Sequence, residues 1–181
     1  MKVSVYIATS LDGFIARKEG ELDWLPGSDG EPVFDSEGDD FGYSAFMASV
    51  DALVMGRNTF ETVLSFGEWP YEKRVIVLSR SLQQLPDNLP NTVELRCCDP
   101  QEITDELRES GVSGLYIDGG NTIQQFLNAG LIDELIISQV PVLIGSGIPL
   151  FGPLSKDVKL SHVETTSFKN GFVQSTYQVI K

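Results

Sequence analysis

The sequence predicts an α/β fold with a largely parallel sheet. Apolar runs of strand length alternate with amphipathic runs of helix length. Two of those strands pass through glycine directly into a helix start. A final pair of alternating segments flanks Asn170-Gly171, which predicts an antiparallel hairpin at the edge of the sheet.

The elements follow in order. Lys2–Ala8 alternates and reads as the first strand. Residues 19–38 are rich in Gly, Pro, Asp and Glu and read as a long loop, a length that usually serves function. Asp39–Val50 places Phe41, Ala45, Phe46 and Val50 near helical spacing. Ala52–Met55 is a short buried strand ending at Gly56, and Asn58–Leu64 a short helix. Arg74–Leu78 and Thr92–Cys97 are strands. Pro100–Glu109 is a helix with Asp99 as N-cap and Gly111 past its end. Leu115–Ile117 leads through Asp118-Gly119-Gly120 into a helix over Asn121–Ala129, closed by Gly130. Glu134–Val140 is a strand, and Lys159–Thr166 with Phe172–Ile180 forms the hairpin. Neither a repeat nor a linker interrupts the 181 residues, so one domain over 1–181 is expected.

Composition narrows the function classes. Ten Phe, five Tyr and two Trp argue against disorder, and the net charge of −13 argues against a nucleic-acid backbone or an anionic membrane as partner. The charge is uneven: residues 19–56 carry ten acids and no base, whereas residues 57–80 carry four bases and three acids. The N-terminal segment alternates rather than forming the apolar core of a signal peptide, and no apolar run reaches membrane-spanning length. Two adjacent cysteines, Cys97 and Cys98, fit a reducing cytoplasm; with a single His they supply neither a distant staple nor a zinc site.

Several constellations could carry chemistry. Gly56-Arg57-Asn58-Thr59 lies between strand and helix, where free N–H groups and the positive helix end suit an anion. Arg57 can fork onto phosphate, with Thr59 capping the helix; the alternative is an ordinary turn with an exposed arginine. Asp118-Gly119-Gly120-Asn121-Thr122 repeats the arrangement, and its two glycines permit close backbone approach. Ser79-Arg80 ends a third strand. Together the three ends suit a dinucleotide: pyrophosphate at two helix starts and a ribose 2′-phosphate on Ser79 and Arg80, which favours NADPH. The alternative for Arg80 is a solvated loop residue.

Asp35-x-Glu37-x-Asp39 superficially suggests a calcium loop, but Asp40 and Phe46 stand where that loop needs glycine and its last ligand, so no metal is expected. Asp40 has Phe41, Tyr43 and Phe46 as neighbours. Desolvation there would suit a proton donor; the alternative is a helix-terminal carboxylate stabilised by the dipole. Gly145 and Gly147 serve backbone geometry, and His162 reads as a solvated strand residue.

Taken in order, the chain resembles the dihydrofolate reductase-like superfamily, and most closely the branch holding the reductase domain of riboflavin biosynthesis. The residues that carry this are Ala8–Ala16, Met55–Phe60, Val77–Arg80, Asp118–Thr122 and Leu131–Leu135, through Pro141–Gly145. The resemblance implies a three-layer fold, with a mostly parallel central sheet, a C-terminal antiparallel hairpin and NADPH across the strand ends. It implies nicotinamide-pocket positions at Ala8 and Ile15. Phosphate and adenosine contacts fall on Gly56, Arg57, Asn58, Thr59, Leu78, Ser79 and Arg80, with a second phosphate turn at Gly119, Gly120, Asn121 and Thr122. Counting back from Gly56, Asp40 falls where dihydrofolate reductases carry the carboxylate that protonates substrate, with Tyr43 as a substitute donor. The zinc deaminase elements that often accompany the riboflavin reductase are absent from this sequence. The expectation is a cytoplasmic, homodimeric, NADPH-dependent reductase of a small pterin-like or pyrimidine-derived substrate; the alternative is a non-catalytic ligand-binding or interaction domain on the same fold.

Overall fold

The computed structural model describes residues 1–26 and 40–181. Most of the expected long loop, the first residue of the expected helix at Asp39, and the Asp35, Glu37, Asp39 pattern lie outside the described residues. In chain order the elements are β1 (Lys2–Ser10), β2 (Phe14–Ala16), α1 (Tyr43–Ala48), β3 (Ala52–Gly56), α2 (Arg57–Ser65), β4 (Arg74–Leu78), β5 (Val93–Arg96), α3 (Pro100–Glu109), β6 (Gly114–Asp118), α4 (Gly120–Asn128), β7 (Glu134–Val140), β8 (Ile148–Pro149), β9 (Leu160–Ser167) and β10 (Val173–Val179).

The main sheet has the order β5-β4-β3-β6-β1-β7-β10-β9. Neighbours are parallel from β5 to β7, and β10 and β9 turn back antiparallel. Side chains alternate across each strand, so each face gathers its own core. On one face Val3, Val5, Ala52, Val54, Ile76, Leu115 and Ile117 pack under Ile103 and Leu107 of α3 and Ile123, Phe126 and Leu127 of α4. On the other, Leu53, Met55, Val75, Val77 and Tyr116 pack under Phe46 of α1 and Phe60 of α2. The central strands therefore read as continuous apolar runs. Each fully buried Ile, Leu or Phe contributes roughly 2 kcal/mol.

Polar contacts fix the register. The Asp51 carboxylate accepts from the Ser113 amide (2.7 Å), the Ser113 hydroxyl (2.7 Å) and the Gly114 amide (3.0 Å), pinning the start of β6 beside β3. Those bonds to its charged form hold Asp51 down at about 2. Asp99 caps α3, its side chain accepting from the Glu102 amide at 2.9 Å.

Two expectations change. The hairpin between β9 and β10 is not closed by two residues of positive φ, because only Gly171 has one (φ 88°). The Gly171 amide donates to the Phe168 carbonyl and the Phe168 amide to the Phe172 carbonyl, both at 2.9 Å. This is a three-residue loop, a type I turn followed by a left-handed glycine. A second, two-stranded sheet of β2 and β8 also forms, pairing Ala16 with Ile148. Gly147 permits it: a Cβ there would sit 2.2 Å from the Ala16 carbonyl oxygen. His162 lies on exposed β9, bonded to the Thr165 hydroxyl at 2.7 Å.

Candidate active site

Strands β3 and β6 are parallel neighbours, yet the helices that follow them lie on opposite faces of the sheet: α2 with Phe60 on one, α4 with Ile123 on the other. The chain thus diverges at their carboxyl ends, and such a switch point opens a crevice. There a cavity of about 1280 Å³ runs along the strand ends.

Glycine shapes this crevice. Both helices begin after a glycine, Gly56 and Gly119, and neither first turn receives a side-chain cap. The amides of both helix starts are left to a ligand or solvent. The expected capping of α2 by Thr59 is therefore corrected. Thr59 sits in the first turn, and its hydroxyl lies where a Cβ on Gly119 would come within 2.1 Å. The contact is reciprocated, because a Cβ on Gly56 would come within 2.8 Å of the Thr122 hydroxyl oxygen. At φ 88° Gly119 also holds a backbone that L side chains rarely adopt. The two turns are thus locked together. β2 adds Ile15, whose Cδ1 lies 2.7 Å from the position of a Cβ on Gly120.

All thirteen positions expected to line a cofactor site lie on the wall of this one cavity: Ala8, Ile15, Gly56, Arg57, Asn58, Thr59, Leu78, Ser79, Arg80, Gly119, Gly120, Asn121 and Thr122. Arg57 is held across its mouth, donating from Nε to Glu61 (2.7 Å) and from Nη1 to the Ser81 hydroxyl (3.1 Å). The Ser79 hydroxyl accepts from the amides of Ser81 (3.2 Å) and Leu82 (2.9 Å). Arg80 is exposed and forms no ion pair among the described residues. Cys97 and Cys98 line the same end of the cavity and are unbridged.

The expected proton donors are set back from this wall, although Tyr43 lies within reach of the Asp118 charge. Asp40 and Tyr43 are not on the cavity wall. For Asp40 hydrogen bonds outweigh desolvation: its carboxylate accepts from the amides of Gly42 (3.0 Å) and Ser44 (2.8 Å), ahead of α1. The bonds with Ser44 hold it below the usual carboxylate range, where it stays ionised. The backbone explains the change: Phe41 (φ 61°) and Gly42 (φ 80°) break the helix and fold Asp40 over its first turn. Tyr43 packs its ring on Tyr6 at 5.5 Å, and burial pushes its phenol up to about 12.

Asp118, by contrast, is a carboxyl group on the cavity wall with a raised pKa. It ends β6 on the same face as Tyr116, two residues earlier. Desolvation pushes it up to about 6; the Gly119 amide, donating at 2.8 Å, offsets this only in part. No cation contributes to that balance. Tyr6 and Tyr71 line the cavity with it, and burial first, then the Asp118 charge, raises the pKa of Tyr43, Tyr71 and Tyr116. The sequence signal for Asp118 was a carboxylate closing an apolar strand just before two glycines.

A strand-end crevice on a mostly parallel sheet with this antiparallel hairpin defines a dihydrofolate reductase-like fold. Dihydrofolate reductase from Enterococcus faecalis complexed with NADP(H) shares it, with TM-score 0.67 and 18% identity over 99% of this chain and 97% of that one. Within that fold class the chain belongs to the RibD C-terminal domain family, whose model matches residues 1–174. Bacillus subtilis (strain 168) holds a relative of uncharacterised function, YwjB, 36% identical over 170 residues and 92% of each chain. A crystal structure from Shewanella sp. PV-4, of a protein provisionally named for riboflavin biosynthesis, superposes with TM-score 0.91 and 42% identity over 100% of both chains. No helix among the described residues is long and apolar enough to cross a membrane.

Proposed function

We propose that the chain is an NADPH-dependent reductase acting on a small pterin-like or pyrimidine-derived substrate, and that it works as a homodimer. The observation that carries this reading is the single cavity that joins two uncapped helix starts, Arg57 and Arg80 at one part of its wall to Asp118 at another. The residues fit the cofactor. Amides of α2 and α4 suit a pyrophosphate, the glycine-lined turns leave room for it, and Arg80 is free for a ribose 2′-phosphate. Ala8 and Ile15 form apolar wall for the nicotinamide. When bound, NADPH supplies a hydride to an electrophilic carbon.

The protein's own part is positioning and proton supply. Asp118 keeps its proton up to about pH 6, well above the usual carboxylate range, because its ionised form is poorly solvated. An acceptor nitrogen takes that proton as the adjacent carbon takes the hydride, so a C=N bond gains one hydride at carbon and one proton at nitrogen, and Asp118 is reprotonated from solvent. The enclosing tyrosines restrict water around the reacting atoms.

Titration with NADPH and NADH, followed by fluorescence, tests the cofactor half. NADPH is expected to bind more tightly, and Arg80→Ala is expected to remove about tenfold or more of that preference, the worth of a charge-assisted phosphate contact. No binding of either nucleotide at millimolar concentration overturns the reading. Binding without turnover on any heterocycle points to the non-catalytic alternative.

A further inference from the structure

The cavity has two chemically different regions. Its cations are Lys18, Arg57 and Arg80. Arg57 and Arg80 follow the carboxyl ends of β3 and β4, in the region assigned above to cofactor phosphates. Lys18 is exposed on the loop that follows β2. Around Asp118 the wall is phenolic: Tyr6, Tyr71 and Tyr116 line it. Beyond Arg17 and Lys18, which directly follow β2, the sequence from 19 to 56 contains no lysine or arginine. A phosphate or carboxylate tail beside Asp118 would meet that acid and three phenols, and Lys18 is the one lysine or arginine of the cavity wall outside the region assigned to cofactor phosphates, so the tail's charge would be poorly matched there.

The polar groups free to meet a substrate are equally specific. The Tyr116 hydroxyl is committed to the Tyr6 carbonyl oxygen at 2.9 Å, and the Tyr6 hydroxyl to the Phe41 carbonyl oxygen at 2.9 Å. The Tyr71 hydroxyl makes no hydrogen bond among the described residues and lies on the cavity wall. Its ring is fixed from behind by Trp69, centroids 5.5 Å apart, and Trp69 by Phe60 at 5.8 Å. Asp118 and Tyr71 thus offer one acceptor and one donor on a rigid aromatic wall. That pair matches the N–H and C=O, or N–H and ring nitrogen, edge of a lactam or amidine heterocycle.

We infer that the region around Asp118 and Tyr71 takes an uncharged, planar nitrogen heterocycle without a phosphate, gripped along one edge by the Asp118 carboxyl and the Tyr71 hydroxyl. This rests on the reductase reading, since it names the substrate class of the same cavity. It separates this chain from an enzyme whose substrate is held by its phosphate.

The test uses matched stable ligands on the full chain, with and without NADP⁺: lumazine, riboflavin and flavin mononucleotide, followed by fluorescence. Lumazine and riboflavin are expected to bind, and flavin mononucleotide at least about tenfold more weakly than riboflavin. Tyr71→Phe is expected to weaken lumazine about tenfold while NADPH affinity stays unchanged, because only a hydroxyl is removed. Tighter binding of the phosphorylated ligand, its loss in Lys18→Ala, or an unchanged affinity in Tyr71→Phe would overturn the inference. Failure of NADPH to bind, with lumazine still discriminating, would instead sink the reductase reading and leave the heterocycle site standing.

Discussion

Asp118 and Asp40 show how little a residue type says without its surroundings. Both are aspartates near aromatic rings, yet Asp40 accepts from two amides and is held low, while Asp118 is desolvated and rises to about 6. A carboxyl that titrates higher in the folded chain than in the unfolded one contributes stability that is complete below pH 4 and lost as pH rises through 6. At pH 7 the ionised Asp118 thus costs up to roughly 3 kcal/mol. Asp118→Asn keeps an acceptor for the Gly119 amide and is expected to raise the melting temperature at pH 7 but not at pH 4. The groups facing it are Tyr43, Tyr71 and Tyr116, which stay neutral throughout this range. In turnover, the wild-type rate is expected to fall as pH rises through about 6, and the asparagine variant to lose that limb along with most of the rate. An unaltered pH–rate profile in Asp118→Asn would show that the proton comes from elsewhere.

At the scale of elements, the two strand-to-helix turns act as one part. Gly119→Ala would place a Cβ 2.1 Å from the Thr59 hydroxyl and force alanine to φ 88°. A loss of about 2 kcal/mol or more is expected, read by denaturant unfolding, with NADPH affinity falling alongside. Local patterns made these turns legible in the sequence: an apolar run, a glycine, then helical spacing identified β3–α2 and β6–α4 without knowledge of the fold. The β2–β8 pair escaped notice because strands of three and two residues carry no period to read. The Asp118 setting was equally hidden. Tyr6, Tyr71 and Tyr116 come from β1, the loop before β4 and β6, and only the strand order brings them together. The start of the first expected helix was misjudged for a local reason, since hydrophobic spacing does not reveal that Phe41 would adopt a left-handed φ.

For the molecule as a whole, the sheet ends on one side at β9, whose eight residues are all exposed. Leu160 and Val163 lie bare on it, and a long free edge of this kind invites pairing with another chain. The proposed homodimer is expected to use this edge. Sedimentation should give twice the mass of the chain, and Val163→Lys should return it to a monomer with its fold intact by circular dichroism. A monomeric wild type at micromolar concentration would refute the dimer. The overall charge of −13 also becomes legible at this scale. The acids are concentrated in the sequence from 19 to 56, whereas Arg57 and Arg80 stand at the strand ends where an anionic cofactor would lie.

The contacts of Gly56 with Thr122 and of Gly119 with Thr59 carry a consequence for the history of such a chain. Residues sixty or more positions apart share one small volume, so neither turn can drift alone. A side chain gained at position 56 becomes tolerable only after position 122 has shrunk, and the order of those two changes decides whether the intermediate folds. Along a lineage, the two turns should change in step or not at all, whatever ligand the cavity comes to hold.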